Sequence, residues 1–266
     1  MTATPNAPNA AIVPSPATPS TTPKATAIVA LDVPNADSAL MIVSALGDLC
    51  RFYKVGSELF TGAGPAVVRS LTEHGCHVLL DLKFHDIPNT TRGSARSAAR
   101  IGARILTVHA TGGRAMMEAA MEGARQGAAQ AGHGGECEVF AVTVLTSLDA
   151  ERLSEAWGRT GVHVQDEVLR LAEIARRAGV TGIVCGGAEA PAVRVEYGNT
   201  LKLLIPGVRL TGSAANDQLR VVTPAEAVAA GASYVIVGRT VTAAPVARDA
   251  MRRVLTELGE GNGLAG

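Results

Sequence analysis

Eight short apolar runs, each followed by a segment of helical periodicity, constrain this chain more than anything else in it. The runs are Ala27–Val33, Phe52–Val55, His77–Lys83, Ile105–His109, Val139–Leu145, Gly182–Cys185, Leu203–Val208 and Tyr234–Val237. Between them, apolar side chains recur at helical spacing over Ala36–Leu46, Gly64–His74, Thr91–Ile101, Gly113–Ala128, Val164–Ala178, Pro191–Tyr197 and Pro224–Ala230. A last helical segment, Ala244–Leu258, follows the eighth run. Strands that are apolar at nearly every residue are buried on both faces, which implies a parallel sheet covered by its crossover helices. Eight such units in this length predict an α/β fold, a (β/α)8 TIM barrel forming a single domain over residues 27–260. A doubly wound open sheet would need a glycine-rich turn after its first strand, and Val33-Pro34-Asn35-Ala36-Asp37 has no glycine.

Residues 1–26 are rich in Ala, Pro, Thr and Asn, with Lys24 the only charged side chain, and are expected to form a disordered tail. They lack the hydrophobic core of a signal peptide and the arginines of a transit peptide. No apolar run approaches the length of a membrane span. Lysine and arginine, 24 together, balance 24 aspartates and glutamates. There is thus no basic field for nucleic acid or an anionic membrane, and any anion must be held by a local site. Cys50, Cys76, Cys137 and Cys185 are scattered, which predicts reduced thiols in a cytoplasmic protein and no zinc site.

In a barrel the active site lies at the carboxyl ends of the strands, and polar residues accumulate there. Asp32 ends the first run, Lys54 lies on the second, Asp81 and Lys83 end the third, His109 the fourth and Thr146 the fifth. The densest group is Asp81-Leu82-Lys83-Phe84-His85-Asp86. Strand alternation predicts that Asp81 and Lys83 point the same way, while Asp86 lies past the strand, just before a helix opened by Pro88. A lysine flanked by acids stays cationic while partly dehydrated, because opposite charges offset the desolvation that would lower its pKa. That suits a group that meets developing negative charge and then hands over a proton. A solvated ion pair explains these six residues equally well, and Asp-x-Lys-x-x-Asp arises by chance in roughly a few per cent of chains this long. A closed barrel has no edge strand, however, so Lys54 points into the mouth or into the helix layer, and the mouth offers Asp32 and Asp81 as partners. Thr146 and Ser147 suit a polar ring or a helix cap alike, and His85 and His109 receive no role.

The seventh run leads into Pro206-Gly207-Val208-Arg209 and a small polar loop, Thr211 to Gln218, and the eighth into Gly238-Arg239-Thr240. Loops after strands seven and eight often form a phosphate site. Arg209 and Arg239 can fork onto phosphate oxygens, Gly238 allows close backbone approach, and Gln218 would reach in when its loop closes.

Together, Leu31-Asp32, Tyr53-Lys54-Val55-Gly56, the block Asp81 to Thr90, Leu145-Thr146-Ser147, Pro206 to Arg209, Asp217-Gln218 and Gly238-Arg239 resemble the orotidine 5'-phosphate decarboxylase family in its bacterial form. The resemblance runs from about residue 27 to 258, and only the tail and the Ala/Gly/His stretch 127–136 fall outside it. It implies that orotidine monophosphate loses carbon dioxide to give uridine monophosphate, the last step of pyrimidine nucleotide synthesis, with no metal and no organic cofactor. It further implies that Lys83 is the general acid, that Asp81 lies against the substrate carboxylate and orients Lys83, and that Lys54 and Asp32 hold the ribose hydroxyls. Thr146 would contact the pyrimidine, and Arg209, Gln218, Gly238 and Arg239 the phosphate. Asp86 and Thr90 would enter the site of the neighbouring subunit of a homodimer. Two other readings are a magnesium-dependent sugar-phosphate lyase or aldolase of the same barrel group, and a non-catalytic barrel that senses a phosphate ligand. Lys54 and Leu145-Thr146-Ser147 speak against the first. The second would not need an acid facing an acidic substrate group.

Overall fold

A computed structural model describes residues 25–131, 136–211 and 221–259. Its eight strands are β1 (Thr26–Ala30), β2 (Phe52–Gly56), β3 (His77–Phe84), β4 (Ala103–His109), β5 (Glu138–Val142), β6 (Gly182–Val184), β7 (Lys202–Val208) and β8 (Tyr234–Val237). All are parallel to their neighbours, and β1 pairs with both β2 and β8, so the sheet closes into a barrel in sequence order. The covering helices are α1 (Ala36–Leu46), α2 (Ser57–Ala63), α3 (Pro65–Glu73), α4 (Pro88–Arg100), α5 (Gly113–Gln130), α6 (Ala150–Trp157), α7 (Val164–Arg177), α8 (Ala190–Tyr197), α9 (Pro224–Ala229), α10 (Arg239–Thr242) and α11 (Ala247–Glu257).

The strand interior forms three tiers set by the two-residue period of a strand. Ile28, Phe52, Leu79, Ile105, Phe140, Leu204 and Ile236 make an apolar plug inside the barrel. Two residues before Phe140, Leu204 and Ile236 come Glu138, Lys202 and Tyr234, which close the floor: Lys202 pairs with Glu138, and the Tyr234 hydroxyl donates to Glu138 at 3.2 Å. Two residues after Phe52, Leu79 and Ile105 come Lys54, Asp81 and Thr107, which face the mouth. The larger apolar core lies outside the sheet, beneath the helices.

Several expectations need correction. Ala25 is buried and Thr26 pairs with Tyr234 of β8, so the last two residues of the tail expected over 1–26 belong to the barrel; residues 1–24 lie outside the described residues. Strands β1 and β5 stop short of their expected ends at Val33 and Leu145, which leaves Asp32 and Thr146 on loops beyond them. In the first case Asn35 caps α1 by accepting from the Ser38 N–H at 2.9 Å, so the chain must turn before it. In the second, Val144 and Leu145 are apolar because they line the mouth, although they lie outside the ladder. The helix expected over Gly64–His74 is α3, Pro65–Glu73; the unexpected element is α2, a separate short helix over Ser57–Ala63 that Gly64, at φ 65°, ends before Pro65 starts α3.

The small residues of α4 and α5 bring those helices together. A side chain on Gly123 or Gly127 would run into the carbonyls of Arg92 and Arg96, with Ala95, Ala99, Ala120 and Ala124 buried nearby.

Candidate active site

A cavity of about 670 Å³ opens at the carboxyl end of the barrel. Asp32, Lys54, Asp81, Lys83, Thr146, Arg209, Gly238 and Arg239 all line it, as predicted. Four of them form a line of alternating charge. Lys54 Nζ lies 2.7 Å from Asp32 Oδ1 and 3.9 Å from Asp81 Oδ2, and Lys83 Nζ lies 2.8 Å from Asp81 Oδ2. The middle members are dehydrated, the Lys54 and Asp81 side chains being 11% and 12% exposed, whereas Lys83 at 36% and Asp32 at 59% open onto the cavity. Burial alone would raise the Asp81 carboxyl, but the ammonium groups of Lys83 and Lys54, with hydrogen bonds from Lys83 and Thr107, outweigh it and hold the group below the usual carboxylate range.

The backbone makes room for this array at one point. Gly56 has φ −92°, which any residue adopts, but a Cβ there would stand 2.8 Å from Lys54 Nζ and 3.4 Å from Asp32 Oδ1. The glycine keeps that ion pair in place.

Lys83 and Asp81 do meet, but not through a regular strand. Leu80 of β3 pairs with Leu106 of β4 and Phe84 with Val108, so Asp81, Leu82 and Lys83 stand opposite Thr107 alone. Lys83 absorbs the excess with φ 49°, the one positive φ among the described non-glycine residues. That conformation costs about 1–2 kcal/mol, and such strain collects at functional positions.

Thr107, which sequence reasoning passed over, sits at the centre of this bulge. Its hydroxyl accepts the Lys83 backbone N–H at 3.0 Å and donates to Asp81 Oδ1 at 2.9 Å. The available signal was its place in the apolar run Ile105-Leu106-Thr107-Val108, two residues beyond a plug residue. Glu58 also lines the cavity without having been predicted.

On the far side, Arg209 is 9% exposed and its Nε has no hydrogen-bond partner among the described residues. Burial, and then the like charge of Arg239, make the Arg209 guanidinium easier to deprotonate than usual. Two neighbouring guanidiniums, one with a buried donor unused among the described residues, have the chemistry to hold an anion.

Asp86 and Thr90 do not line this cavity. Both are exposed, Asp86 on the loop where its Oδ1 accepts the Ile87 N–H at 2.6 Å and Thr90 in the first turn of α4. Between them Ile87 is 67% exposed. Gln218 lies outside the described residues. His85 and His109 stack obliquely, with ring centroids 5.4 Å apart, away from the cavity wall. Burial, helped by His85 and Lys83, lowers the His109 pKa.

The arrangement can hold an anion at one end and present a fixed ammonium against a carboxylate at the other. The profile of the orotidine 5'-phosphate decarboxylase / HUMPS family matches residues 26–254. The orotidine 5'-phosphate decarboxylase of Nitrosococcus oceani is 46% identical over 236 residues, 88% of this chain and 98% of that one. That of Moorella thermoacetica is 46% identical over 231 residues, 87% and 91% of the two chains. The crystal structure of orotidine 5'-phosphate decarboxylase from Lactobacillus acidophilus superposes with a TM-score of 0.78 at 34% identity, covering 88% of this chain and 99% of that one. By a match that spans the whole barrel, this chain belongs to the orotidine 5'-phosphate decarboxylase / HUMPS family.

Proposed function

We propose that this chain, through one domain over residues 27–260, converts orotidine 5'-phosphate to uridine 5'-phosphate and carbon dioxide without a metal or organic cofactor. The observation that carries the reading is the line Asp32, Lys54, Asp81, Lys83 at the barrel mouth, in a chain whose relatives bear that enzyme's name. Arg209, Arg239 and Gly238, with Gln218, hold the phosphate, and Thr146 meets the pyrimidine. Asp32 and Lys54 take the ribose hydroxyls. The substrate carboxylate then lies against Asp81, and Lys83 faces the ring carbon that loses carbon dioxide. The two electrons of the broken carbon–carbon bond stay on that ring carbon, and the Lys83 ammonium supplies the proton that ends there.

Magnitudes divide the work. A general acid supplies about 10²–10⁴-fold, or roughly 3–5 kcal/mol. A carbanion formed on a ring without an electron sink needs far more, about 20 kcal/mol. The remainder comes from the fixed positive charge of Lys83 beside the forming carbanion and from phosphate binding remote from the chemistry. Among the described residues no group of three or more His, Cys, Asp or Glu is placed to hold a metal ion. The cation between Asp32 and Asp81 is Lys54, which favours this reading over a magnesium-dependent lyase.

The functional unit is a homodimer in which Asp86 and Thr90 complete the partner's site. Their exposure, on either side of the exposed Ile87 and away from their own cavity, supports this assignment. The test of the reaction is the loss of orotidine monophosphate absorbance. Wild type should turn over with or without a chelator. Lys83→Ala should lose all but a few per cent of turnover while still binding uridine monophosphate. Retention of more than a few per cent of wild-type turnover by that variant would overturn the assignment.

A further inference from the structure

We propose that Thr107 is a positioning residue for the reaction: its hydroxyl pins both the Lys83 backbone and the Asp81 carboxylate, and so fixes where the proton donor points. The inference rests on the assignment of Lys83 as that donor and adds to it a residue outside the residue set implied by family resemblance.

Three features of the geometry meet at one oxygen. First, Thr107 is buried, and it stands alone opposite three residues of β3. A regular ladder would offer the Lys83 N–H a backbone carbonyl; here it donates to the Thr107 side chain at 3.0 Å. Second, the hydroxyl proton is spent on Asp81 Oδ1 at 2.9 Å, which leaves Oδ2 for the Lys83 ammonium at 2.8 Å. Each carboxylate oxygen therefore has its own donor, and the carboxylate plane cannot turn without losing one of them. Third, Lys83 holds a left-handed φ of 49°, a conformation that relaxes unless its surroundings impose it. The hydroxyl is the neighbouring group that ties this backbone to β4.

Removing it leaves the N–H and Oδ1 without partners in a buried site. The bulge can then relax and the ammonium can drift from the reacting carbon, where a shift of about 1 Å costs on the order of 10² in rate. Thr107 touches neither the phosphate pair nor the ribose pair, so substrate capture should be nearly unaffected.

The test compares Thr107→Ser, which keeps the hydroxyl and loses the methyl, with Thr107→Ala, which loses both, and Thr107→Val, which keeps the volume. Steady-state decarboxylation of orotidine monophosphate gives kcat and KM, calorimetric titration gives uridine monophosphate affinity, and thermal melts give the folded fraction. The expected result is a kcat roughly 30- to 100-fold lower for Ala and Val, with KM and product affinity within about threefold of wild type, and Ser restored to within about threefold in kcat. Equal losses for Ser and Ala would show that the methyl matters rather than the hydroxyl, and would overturn the proposal. So would a Val or Ala variant above a third of wild-type kcat, or a loss shared equally between kcat and product affinity. If Val does not fold, the Ser and Ala pair still decides. Lys83→Ala measured alongside separates the two levels: if it retains turnover the donor assignment fails, whereas a dead Lys83→Ala beside active Thr107 variants leaves the donor and removes only Thr107.

Discussion

At the scale of single residues, the two ends of the cavity use charge in opposite ways. In the alternating line each charge has an opposite neighbour, so Asp81 stays ionised although it is buried. Its folded pKa is depressed, so the unfolded chain binds the extra proton as the pH falls. The stability it contributes is therefore complete above the unfolded carboxylate range, about pH 4, and is lost as the pH drops through the lower folded value. Denaturant midpoints measured downward from pH 6 should fall more steeply for wild type than for Asp81→Asn, and parallel curves would contradict the depressed pKa. At the other end two like charges lie close together, and the charge of Arg239 adds to burial in lowering the Arg209 pKa. Arg239→Ala should lower kcat/KM for the nucleotide by roughly 10²-fold, the loss of a charge-assisted fork, and barely affect the phosphate-free nucleoside. Equal losses on both substrates would show that Arg239 does not meet the phosphate. Asp32, Lys54, Asp81, Lys83 and the two arginines were legible because charge at strand ends is rare in so apolar a chain. The strained φ of Lys83 and the part played by Thr107 were not, since a register shift between β3 and β4 leaves no mark in either strand alone.

At the scale of elements, periodicity located all eight strands because each is buried on both faces. It misjudged ends where loop residues are apolar for a different reason: Val144 and Leu145 line the cavity, yet they read as more of β5. It also passed over α2, whose seven residues are too few to establish a helical period, while α3 falls where it was expected. Small residues also let two helices approach closely, where Gly123 and Gly127 of α5 meet the backbone of α4. Gly127→Ala should therefore destabilise the protein. Helix propensity would add about 1 kcal/mol, but overpacking against the Arg96 carbonyl and Ala99 costs about 1–3 kcal/mol or more. A lower denaturant midpoint is expected, and a raised one would mean that the helices can part without penalty.

At the scale of the whole molecule, the exposed placement of Asp86 gives the sharpest test of a shared site. Suppose Lys83→Ala and Asp86→Ala chains, each inactive, are mixed equally under conditions where subunits exchange. Half the dimers are then mixed, and two-fold symmetry gives each of these one doubly damaged site and one intact site. Activity should return to roughly a quarter of wild type. No recovery, with exchange confirmed separately, would show that both residues serve the same chain. The proposal of a shared site comes from family likeness, because a single sequence carries no record of what a second copy contributes. The floor of the barrel has its own consequence. Glu138, Lys202 and Tyr234 seal it beneath an apolar plug that includes Phe52 and Phe140. Among the described residues the barrel is thus closed below, and in the proposed reaction carbon dioxide would depart through the same mouth that admits the substrate.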